Sequence, residues 1–315
     1  MDIAAEVYRA AGRIYDVVGE TPLDLLVGFS DEQCKVYGKL ENLQHTGSFK
    51  LRGAVNKLMS LDASQREAGC VTASTGNHGA AMAYALGRMG INGMIFVPEN
   101  ASTTKVEAIR RYGGNLKVYG VDGAETERYA REFAEDNGML YISPYNDPQI
   151  IGGQGTVGLE MYRQRPELDA VFVAVGGGGL MSGIAGLLKS VNPNIRIVGC
   201  QPANSAVMAH SIAAGHVIDE PSLPTLSDGT AGGMDLDSIT FEPCRDYVDE
   251  WILVSEEEIA VCMRKFLQSQ HQLLEGSAGV ALAAVERARE TLQGQTVGAV
   301  ICGANISLDT LKTIL

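Results

Sequence analysis

One lysine in the sequence stands in a setting that favours chemistry. Lys50 follows the turn-forming residues Thr46 to Ser48 and opens a predicted helix within the stretch HTGSFKLRGA. The start of a helix lowers the pKa of a lysine placed there, and desolvation beside Phe49 lowers it further. A neutral amine is the nucleophile that Schiff-base chemistry requires. Taken alone, however, such a lysine is usually an ordinary surface charge.

A second candidate is the glycine loop at residues 176–179, which lies between a predicted buried strand and a predicted helix. Glycines let several backbone N–H groups converge, and the helix start adds partial positive charge. The loop is therefore predicted to bind an anion, most naturally a phosphate, because one glycine would suffice for a simple turn. A dinucleotide site is disfavoured, since Met181 and Ser182 break the GxGxxG spacing and Gln201 stands where an acid is needed.

Two further polar clusters follow predicted strands. The stretch STGNH, from Ser74 to His78, offers hydroxyl, amide and backbone N–H groups that can bind a carboxylate or a ring hydroxyl. The same residues could serve only as a helix cap with a satisfied histidine. Cys302 ends the last predicted strand, at the edge where open α/β sheets place ligands. Alone, such a cysteine is more often a small buried apolar residue.

Alternating apolar runs and amphipathic stretches predict the elements that position these clusters. They indicate an α/β protein with mostly parallel sheets. Residues 69–138 form a predicted compact βαβαβα unit, and a second series of strands and helices begins near residue 140. Residues 202–247 are predicted to be rich in loops. Ser255 followed by Glu258 indicates a capping box at the start of a helix.

The composition argues against several other classes of protein. Acidic residues outnumber basic ones by 38 to 25, so the chain has no general attraction to nucleic acid or anionic membranes. No apolar run reaches the roughly 18 residues of a spanning helix, and the chain opens without a signal core. The six cysteines form no CxxC pair, and the five histidines show no metal-binding spacing. We therefore expect free thiols, a cytoplasmic location and no zinc site.

Together, the four clusters resemble the fold-type II pyridoxal-phosphate enzymes, specifically the threonine/serine dehydratase and serine racemase group. The motifs occur in one order, as GSFKLRG at 47–53, STGNHG at 74–79, GGGGL at 176–180 and CGAN at 302–305. The similarity extends over nearly the whole chain, including TPL at 21–23, GGQGTVGLE at 152–160 and EGSAG at 275–279. Four ordered motifs are far more specific than any one of them.

The resemblance implies a two-lobed α/β fold like that of tryptophan synthase β, with open, mostly parallel sheets and helices on both faces. Residues 1–45 and 141–315 would form a large domain that binds the cofactor, and residues 46–140 would form a small domain. No C-terminal regulatory domain is expected. The cofactor would be pyridoxal 5'-phosphate, the substrate a small amino acid, and the assembly a homodimer.

The resemblance also implies a role for each site residue. Lys50 would bind the cofactor covalently and remove the Cα proton of the substrate, while Phe49 would pack against the pyridine ring. The other cofactor contacts would come from Asn77, Gly176, Gly177, Gly178, Gly179, Leu180, Glu275 and Cys302. Of these, Asn77 would bind the ring hydroxyl and Cys302 would face the ring nitrogen. The substrate carboxylate would be bound by Ser74, Thr75, Gly76 and His78.

The implied reaction is the β-elimination of a β-hydroxy amino acid of the L-threonine or L-serine type, which gives a 2-oxo acid and ammonia. A racemase is the first alternative, because Thr75 stands where serine racemase has a catalytic serine; Thr75 is otherwise only a substrate contact. A catalytically inactive binding protein is another alternative, which the presence of Lys50, Asn77 and the glycine loop disfavours.

A bulkier β-hydroxy amino acid is the remaining alternative for the substrate. Residues 223–241 differ from the usual threonine dehydratase loop and are closer to the dehydratases assigned to hydroxyectoine breakdown. A hydroxyectoine-derived or hydroxyaspartate-type substrate would then fit. Arg128 and Arg131 could meet a second acidic group of such a substrate, or they could form a solvated helix face.

No metal site is expected in this chain. Serine racemases and hydroxyaspartate lyases of this group bind a divalent ion through an acidic pair. The matching positions here are Gln201 and Val207, and neither side chain can be an anionic ligand.

Overall fold

The computed structural model describes the backbone of residues 1–315 and every side chain except that of Thr104. Two sheets contain ten strands, which are, in chain order, β1 (Leu23–Leu25), β2 (Cys34–Leu40), β3 (Cys70–Ala73), β4 (Gly93–Val97), β5 (Leu116–Val118), β6 (Leu140–Tyr141), β7 (Ala170–Ala174), β8 (Arg196–Pro202), β9 (Glu250–Val254) and β10 (Gln295–Ile301).

Thirteen α-helices connect and cover these strands. They are α1 (Ile3–Ile14), α2 (Lys50–Met59), α3 (Ala63–Ala68), α4 (Asn77–Met89), α5 (Thr103–Arg111), α6 (Gly123–Asp136), α7 (Pro148–Gln164), α8 (Gly179–Val191), α9 (Val207–Ala214), α10 (Phe241–Tyr247), α11 (Glu256–Gln270), α12 (Gly276–Arg287) and α13 (Leu308–Ile314). The predicted capping box opens α11, where the side chains of Ser255 and Glu258 each bind the other residue's backbone N–H.

The larger sheet has the strand order β1-β2-β10-β7-β8-β9, and only the pair of β1 and β2 is antiparallel. The smaller sheet, β5-β4-β3-β6, is parallel throughout. All five residues of β7 are buried, as expected for a parallel strand with helices on both faces. The predicted α/β fold with mostly parallel sheets is therefore confirmed. The smaller sheet ends at Tyr141, and the domain boundaries stay predictions.

The segment predicted to be loop-rich, residues 202–247, contains two short helices that the sequence pattern did not predict. Helix α9 is apolar on most sides, so it shows no clear helical periodicity. Helix α10 has Pro243 in its first turn, where the missing N–H of a proline costs no hydrogen bond. The rest of the segment is irregular, and residues 228–235 of it approach the strand ends of the larger sheet.

A fully buried cluster of charges joins strand β2 and the residue that follows it to helices α2 and α7. The Arg52 guanidinium lies 2.7 Å from Glu41 Oε2 and 2.5 Å from Glu160 Oε1, and Lys39 Nζ lies 2.6 Å from Glu160 Oε2. All four side chains have 0% exposure. Two cations therefore compensate two anions. Because Arg52 lies in the first turn of α2, the cluster fixes the start of the helix that carries Lys50.

Breaking this charge cluster should destabilise the fold strongly. In Arg52→Met, two carboxylates lose their main partner while buried, and the free energy of unfolding should fall by about 3–5 kcal/mol. Denaturant unfolding measures this change. Lys312→Met is the matched control, because the Lys312 side chain is 76% exposed beside Asp309 and its loss should have no measurable effect. An Arg52→Met protein as stable as the wild type would show that the cluster does not hold α2.

Candidate active site

All the predicted site residues line one cavity. This cavity has a volume of about 900 Å³ and is bounded by residues that follow the carboxyl ends of β3, β6, β7 and β10. Parallel strands place such residues at one edge of a sheet, which is where α/β proteins bind ligands. Its lining includes every member of the predicted set, which is Phe49, Lys50, Ser74, Thr75, Gly76, Asn77, His78, Gly176, Gly177, Gly178, Gly179, Leu180, Glu275 and Cys302.

Four helices begin at this cavity, namely α2, α4, α8 and α12. Within the described part of the chain, none of their N-cap residues makes a side-chain capping hydrogen bond. The first-turn amide groups of these helices thus receive no acceptor from an N-cap side chain, although Gln154 Oε1 accepts from the Gly53 N–H of α2 at 3.2 Å. Four partial positive charges converge on one space, which suits a ligand that carries several negative charges.

The glycine loop at the start of α8 is shaped by close approach of neighbouring groups. A methyl group added at Gly177 would lie 2.6 Å from the Tyr145 ring, and one at Gly176 would lie 3.0 Å from the Cα of Thr230. Gly178 has a φ of 82°, in the left-handed region that favours glycine. Side chains are therefore excluded from the loop, and its backbone faces the cavity as the phosphate prediction requires.

Lys50 is the only lysine of the predicted set, and the surrounding protein makes its amine more acidic than usual. Its Nζ donates a hydrogen bond to the Pro144 carbonyl at 2.8 Å and lies 5.3 Å from the centre of the Phe49 ring. Desolvation lowers the pKa of Lys50 to about 8, and the neighbouring Cys302 and Glu275 limit this shift. The sequence emphasised the helix start, whereas burial is the larger cause. Part of the Lys50 amine is therefore unprotonated near pH 7 and can act as a base or nucleophile.

Glu275 is the centre of a hydrogen-bond cluster in the cavity wall. Its two carboxylate oxygens accept from Asn77 Nδ2 at 2.9 and 3.0 Å, and Oε1 accepts from Cys302 Sγ at 3.9 Å. Burial raises the pKa of Glu275, and burial followed by the charge of Glu275 raises the pKa of the Cys302 thiol well above its usual value. Cys302 is therefore a neutral, weak donor in the cavity wall.

Residues 74–76 form the turn between β3 and α4, and Asn77 and His78 open α4. A methyl group at Gly79 would lie 2.2 Å from the Ser74 carbonyl, so the turn requires glycine there. His78 is 2% exposed, and neither ring nitrogen has a hydrogen-bond partner among the described residues. Burial and then the charge of Lys50 lower the pKa of His78 to about 3. The imidazole is therefore neutral, and both of its ring nitrogens are buried.

Several cavity residues were not found from the sequence. The signal for Tyr145 was available, since it follows β6 at the carboxyl end of a parallel strand. Lys105 and Asp228 form an ion pair of 2.6 Å across the cavity, and Asp235 accepts a hydrogen bond from Asn146 Nδ2 at 3.0 Å. The two aspartates come from the irregular segment 228–235, whose placement depends on tertiary contacts that no local pattern reveals.

The helix face of Arg128 and Arg131 lies outside the cavity lining. Arg128 is exposed, and Arg131 Nη2 pairs with Glu127 at 2.6 Å and with Asp235 at 3.4 Å. The charge of Arg131 is thus compensated by the protein's own carboxylates, which favours the solvated-face interpretation over contact with a substrate.

The position matching a family metal ligand is filled by a satisfied amide. Gln201 Nε2 donates to the Val175 carbonyl at 3.0 Å, and Gln201 Oε1 accepts from the Ala209 N–H at 2.8 Å. In the described residues, no group of three or more His, Cys, Asp or Glu side chains could hold a metal ion.

None of the described helices combines the length and the apolar character that crossing a membrane requires.

Comparison with known proteins agrees with this geometry. A family model described as "Pyridoxal-phosphate dependent enzyme" matches residues 14–303. The catabolic L-threonine dehydratase of Escherichia coli (strain K12) is 37% identical over 99% of this chain and 94% of its own length. The biosynthetic enzyme of Pasteurella multocida (strain Pm70) is 34% identical over 98% of this chain, which spans only 61% of that longer relative.

A solved structure of maize serine racemase superposes with a TM-score of 0.92 at 34% identity, covering 98% of this chain and 95% of its own.

The pKa of Lys50 can be tested directly by competitive acylation of the ligand-free protein. Only a neutral amine reacts, so labelling of Lys50 should rise with pH and reach half its maximum near pH 8, because burial lowers the pKa of Lys50 to about 8. Peptide mass spectrometry reports the extent at each lysine, and the exposed Lys312 serves as the reference. A half-maximum for Lys50 above about pH 10, the ordinary range for lysine, would contradict a desolvated amine.

Proposed function

The chain belongs to the pyridoxal-phosphate-dependent enzyme family, and on that premise we propose that it is a dehydratase for a β-hydroxy amino acid. The substrate would be of the L-threonine or L-serine type, and the products a 2-oxo acid and ammonia. The observation that carries this proposal is the convergence of Lys50, the glycine loop and residues 74–78 in one cavity. The two similar dehydratases support the same reaction class.

The cavity fits pyridoxal 5'-phosphate, the cofactor of this family. The glycine loop at 176–179 excludes side chains and opens α8 without a side-chain cap, so its backbone N–H groups and that of Leu180 would hold the phosphate. The amine of Lys50 would bond the cofactor carbon, and Phe49 would pack on the ring. When bound, the cofactor supplies the electron sink for the pair left at the substrate Cα.

The chain's own groups would orient the substrate and move its proton. The start of α4 and the hydroxyls of Ser74 and Thr75, which line the cavity, would bind the substrate carboxylate together with a neutral His78. Once the amino group of the substrate has replaced it at the cofactor carbon, the freed amine of Lys50 would remove the Cα proton as a general base. Its hydrogen bond to the Pro144 carbonyl keeps Nζ directed into the cavity.

The part of the cavity wall formed by Cys302 and Glu275, which would face the ring nitrogen, would favour elimination. Cys302 is a neutral thiol whose hydrogen points to Glu275, so it cannot donate a full proton to that nitrogen as an aspartic acid would. The cofactor ring would then stabilise less negative charge. The electron pair at Cα would instead expel the β-hydroxyl, which takes up a proton and leaves as water.

A racemase is the second candidate because the Thr75 side chain lines the cavity and the fold is similar to that of maize serine racemase. A racemase needs an acid on the face of Cα opposite the base, and a hydroxyl can fill that role. Substrate contact is the simpler role for Thr75, since a hydroxyl beside a carboxylate is a ready donor.

We also propose that the enzyme acts as a homodimer in the cytoplasm and accepts serine as well as threonine. The location is supported by the six cysteines, all of which are buried as free thiols. The homodimer and the use of serine follow from the family resemblance. The cavity volume of about 900 Å³ also leaves room for a bulkier β-hydroxy amino acid.

A substrate panel tests the proposed reaction. Purified enzyme loaded with cofactor is mixed with L-serine, L-threonine and β-hydroxyaspartate, and 2-oxo acid and D-enantiomer are both measured. We expect 2-oxo acid from at least one substrate and a loss of at least about 10³-fold in kcat for Lys50→Ala. Lys312→Ala is the control and should be unchanged. Retained turnover in Lys50→Ala would exclude Lys50 as the base, and no product with any amino acid would favour a binding protein.

The variant Thr75→Ala distinguishes the two roles considered for Thr75, which are substrate contact and racemase acid. If Thr75 contacts the substrate carboxylate, KM should rise about tenfold, since a hydrogen bond to a charged group is lost. The ratio of D-enantiomer to 2-oxo acid should stay the same. Steady-state kinetics with both products measures this, and Thr313→Ala provides an exposed control whose hydroxyl bonds only to the Thr310 carbonyl. Selective loss of the D-enantiomer would instead identify Thr75 as a racemase acid.

A further inference from the structure

Asn305 ends the CGAN turn and makes hydrogen bonds to three separate segments. Its Nδ2 donates to the Thr46 carbonyl at 2.9 Å and to Asn77 Oδ1 at 2.7 Å. Its backbone N–H donates to Glu275 Oε2 at 3.2 Å. One side chain therefore touches the turn before Lys50 and the first residue of α4, and its own backbone touches the buried carboxylate.

The Asn77 amide is fixed in one of its two orientations by these neighbours. Its Nδ2 donates to both oxygens of Glu275, and its Oδ1 accepts from Asn305 Nδ2. A flipped amide would place its oxygen against the carboxylate and its donors against the Asn305 donor. Glu275 and Asn305 together decide which end of Asn77 is available to a ligand in the cavity.

The same turn is paired with the backbone that precedes Lys50. The Phe49 N–H donates to the Cys302 carbonyl at 3.0 Å, and the Ala304 N–H donates to the Gly47 carbonyl at 2.9 Å. Gly47 has a φ of 73°, and a methyl group there would lie 2.8 Å from Asn305 Oδ1. The close approach of Asn305 and the positive φ thus require glycine at position 47. The side chain of Asn305 also connects this backbone pairing to Asn77.

We propose that Asn305 is a positioning residue, which holds the Asn77 amide and the Lys50 turn in one register. Asn305 would then fix the position of the Asn77 amide, which contacts the ring hydroxyl, relative to the Lys50 amine, which bonds the cofactor. The inference rests on the proposed function only in taking Asn77 and Lys50 as the residues that contact the cofactor. Asn305 itself is exposed to the cavity, so its loss should spare the core.

Asn305→Asp tests this proposal with almost no change of shape. It keeps the backbone bond to Glu275, removes both Nδ2 donations and sets a carboxylate oxygen against the Thr46 and Asn77 oxygens. The visible absorption and circular dichroism of bound pyridoxal phosphate should shift, and cofactor affinity measured by fluorescence titration should fall about tenfold or more. We expect kcat to fall by a similar factor, with the KM of the amino acid within about threefold, because other residues bind its carboxylate.

Two further variants keep the test decisive. Asn305→Ala removes the donor without adding charge and should change the spectrum and affinity in the same direction. An effect confined to Asn305→Asp would belong to the added charge and would overturn the proposal. Asn204→Asp is the matched control, since Asn204 Nδ2 donates to the Pro224 carbonyl at 2.7 Å outside the cavity lining, and it should behave as wild type.

The remaining outcomes also decide between the roles. A lower melting temperature in Asn305→Ala with an unchanged cofactor spectrum, affinity and kcat would mean a merely structural role and overturn the proposal. A wild-type protein that binds the cofactor but turns over no amino acid would refute the proposed reaction. The spectrum and affinity of the Asn305 variants would still test the positioning role in that case.

Discussion

The buried charge cluster of Lys39, Glu41, Arg52 and Glu160 is the constraint on which the placement of Lys50 depends. Four charged side chains without solvent contact are tolerated only when all partners meet with good geometry. Such a cluster adds little net stability over apolar packing, but it disfavours every other register of its three segments. Helix α2 therefore begins at one place, and its first residue, Lys50, faces the cavity.

The four helix starts that meet at the cavity determine its electrostatic potential. Each start leaves amide donors without a side-chain cap, which a soluble fold normally avoids. Gathered around one space, the same donors form a region of positive potential that a phosphate and a carboxylate would satisfy. The uncapped helix ends thus lower the free energy of unfolding, and binding of an anionic ligand raises it again.

The sequence was sufficient to predict the α/β class and the cavity residues that follow a strand or open a helix. The glycine loop and Cys302 follow strands of the larger sheet, and Asn77 follows a strand of the smaller one; within each sheet, parallel strands bring their carboxyl ends to one edge. Lys50 belongs to the group because it opens α2. Burial of Arg52 was not predictable, since its partner Glu160 lies 108 residues away and KLRG alone suggests a solvated arginine. The aspartates of segment 228–235 were missed for the same reason, because their positions result from tertiary packing, whereas Tyr145 follows β6 and was within reach of the strand pattern.

Glu275 contributes both to the orientation of Asn77 and to the pKa of Lys50. The sequence could place it only near the cofactor, whereas the structure surrounds its carboxylate with donors from Asn77, Cys302 and the Asn305 backbone. Desolvation lowers the pKa of Lys50, while the neighbouring Cys302 and Glu275 limit the fall, so that it settles at about 8. A base that must accept a proton and later return it works best with a pKa near the operating pH. Since burial keeps the Cys302 thiol neutral, Glu275 supplies the opposing charge, and the carboxylate that orients Asn77 also keeps Lys50 able to cycle between its two protonation states.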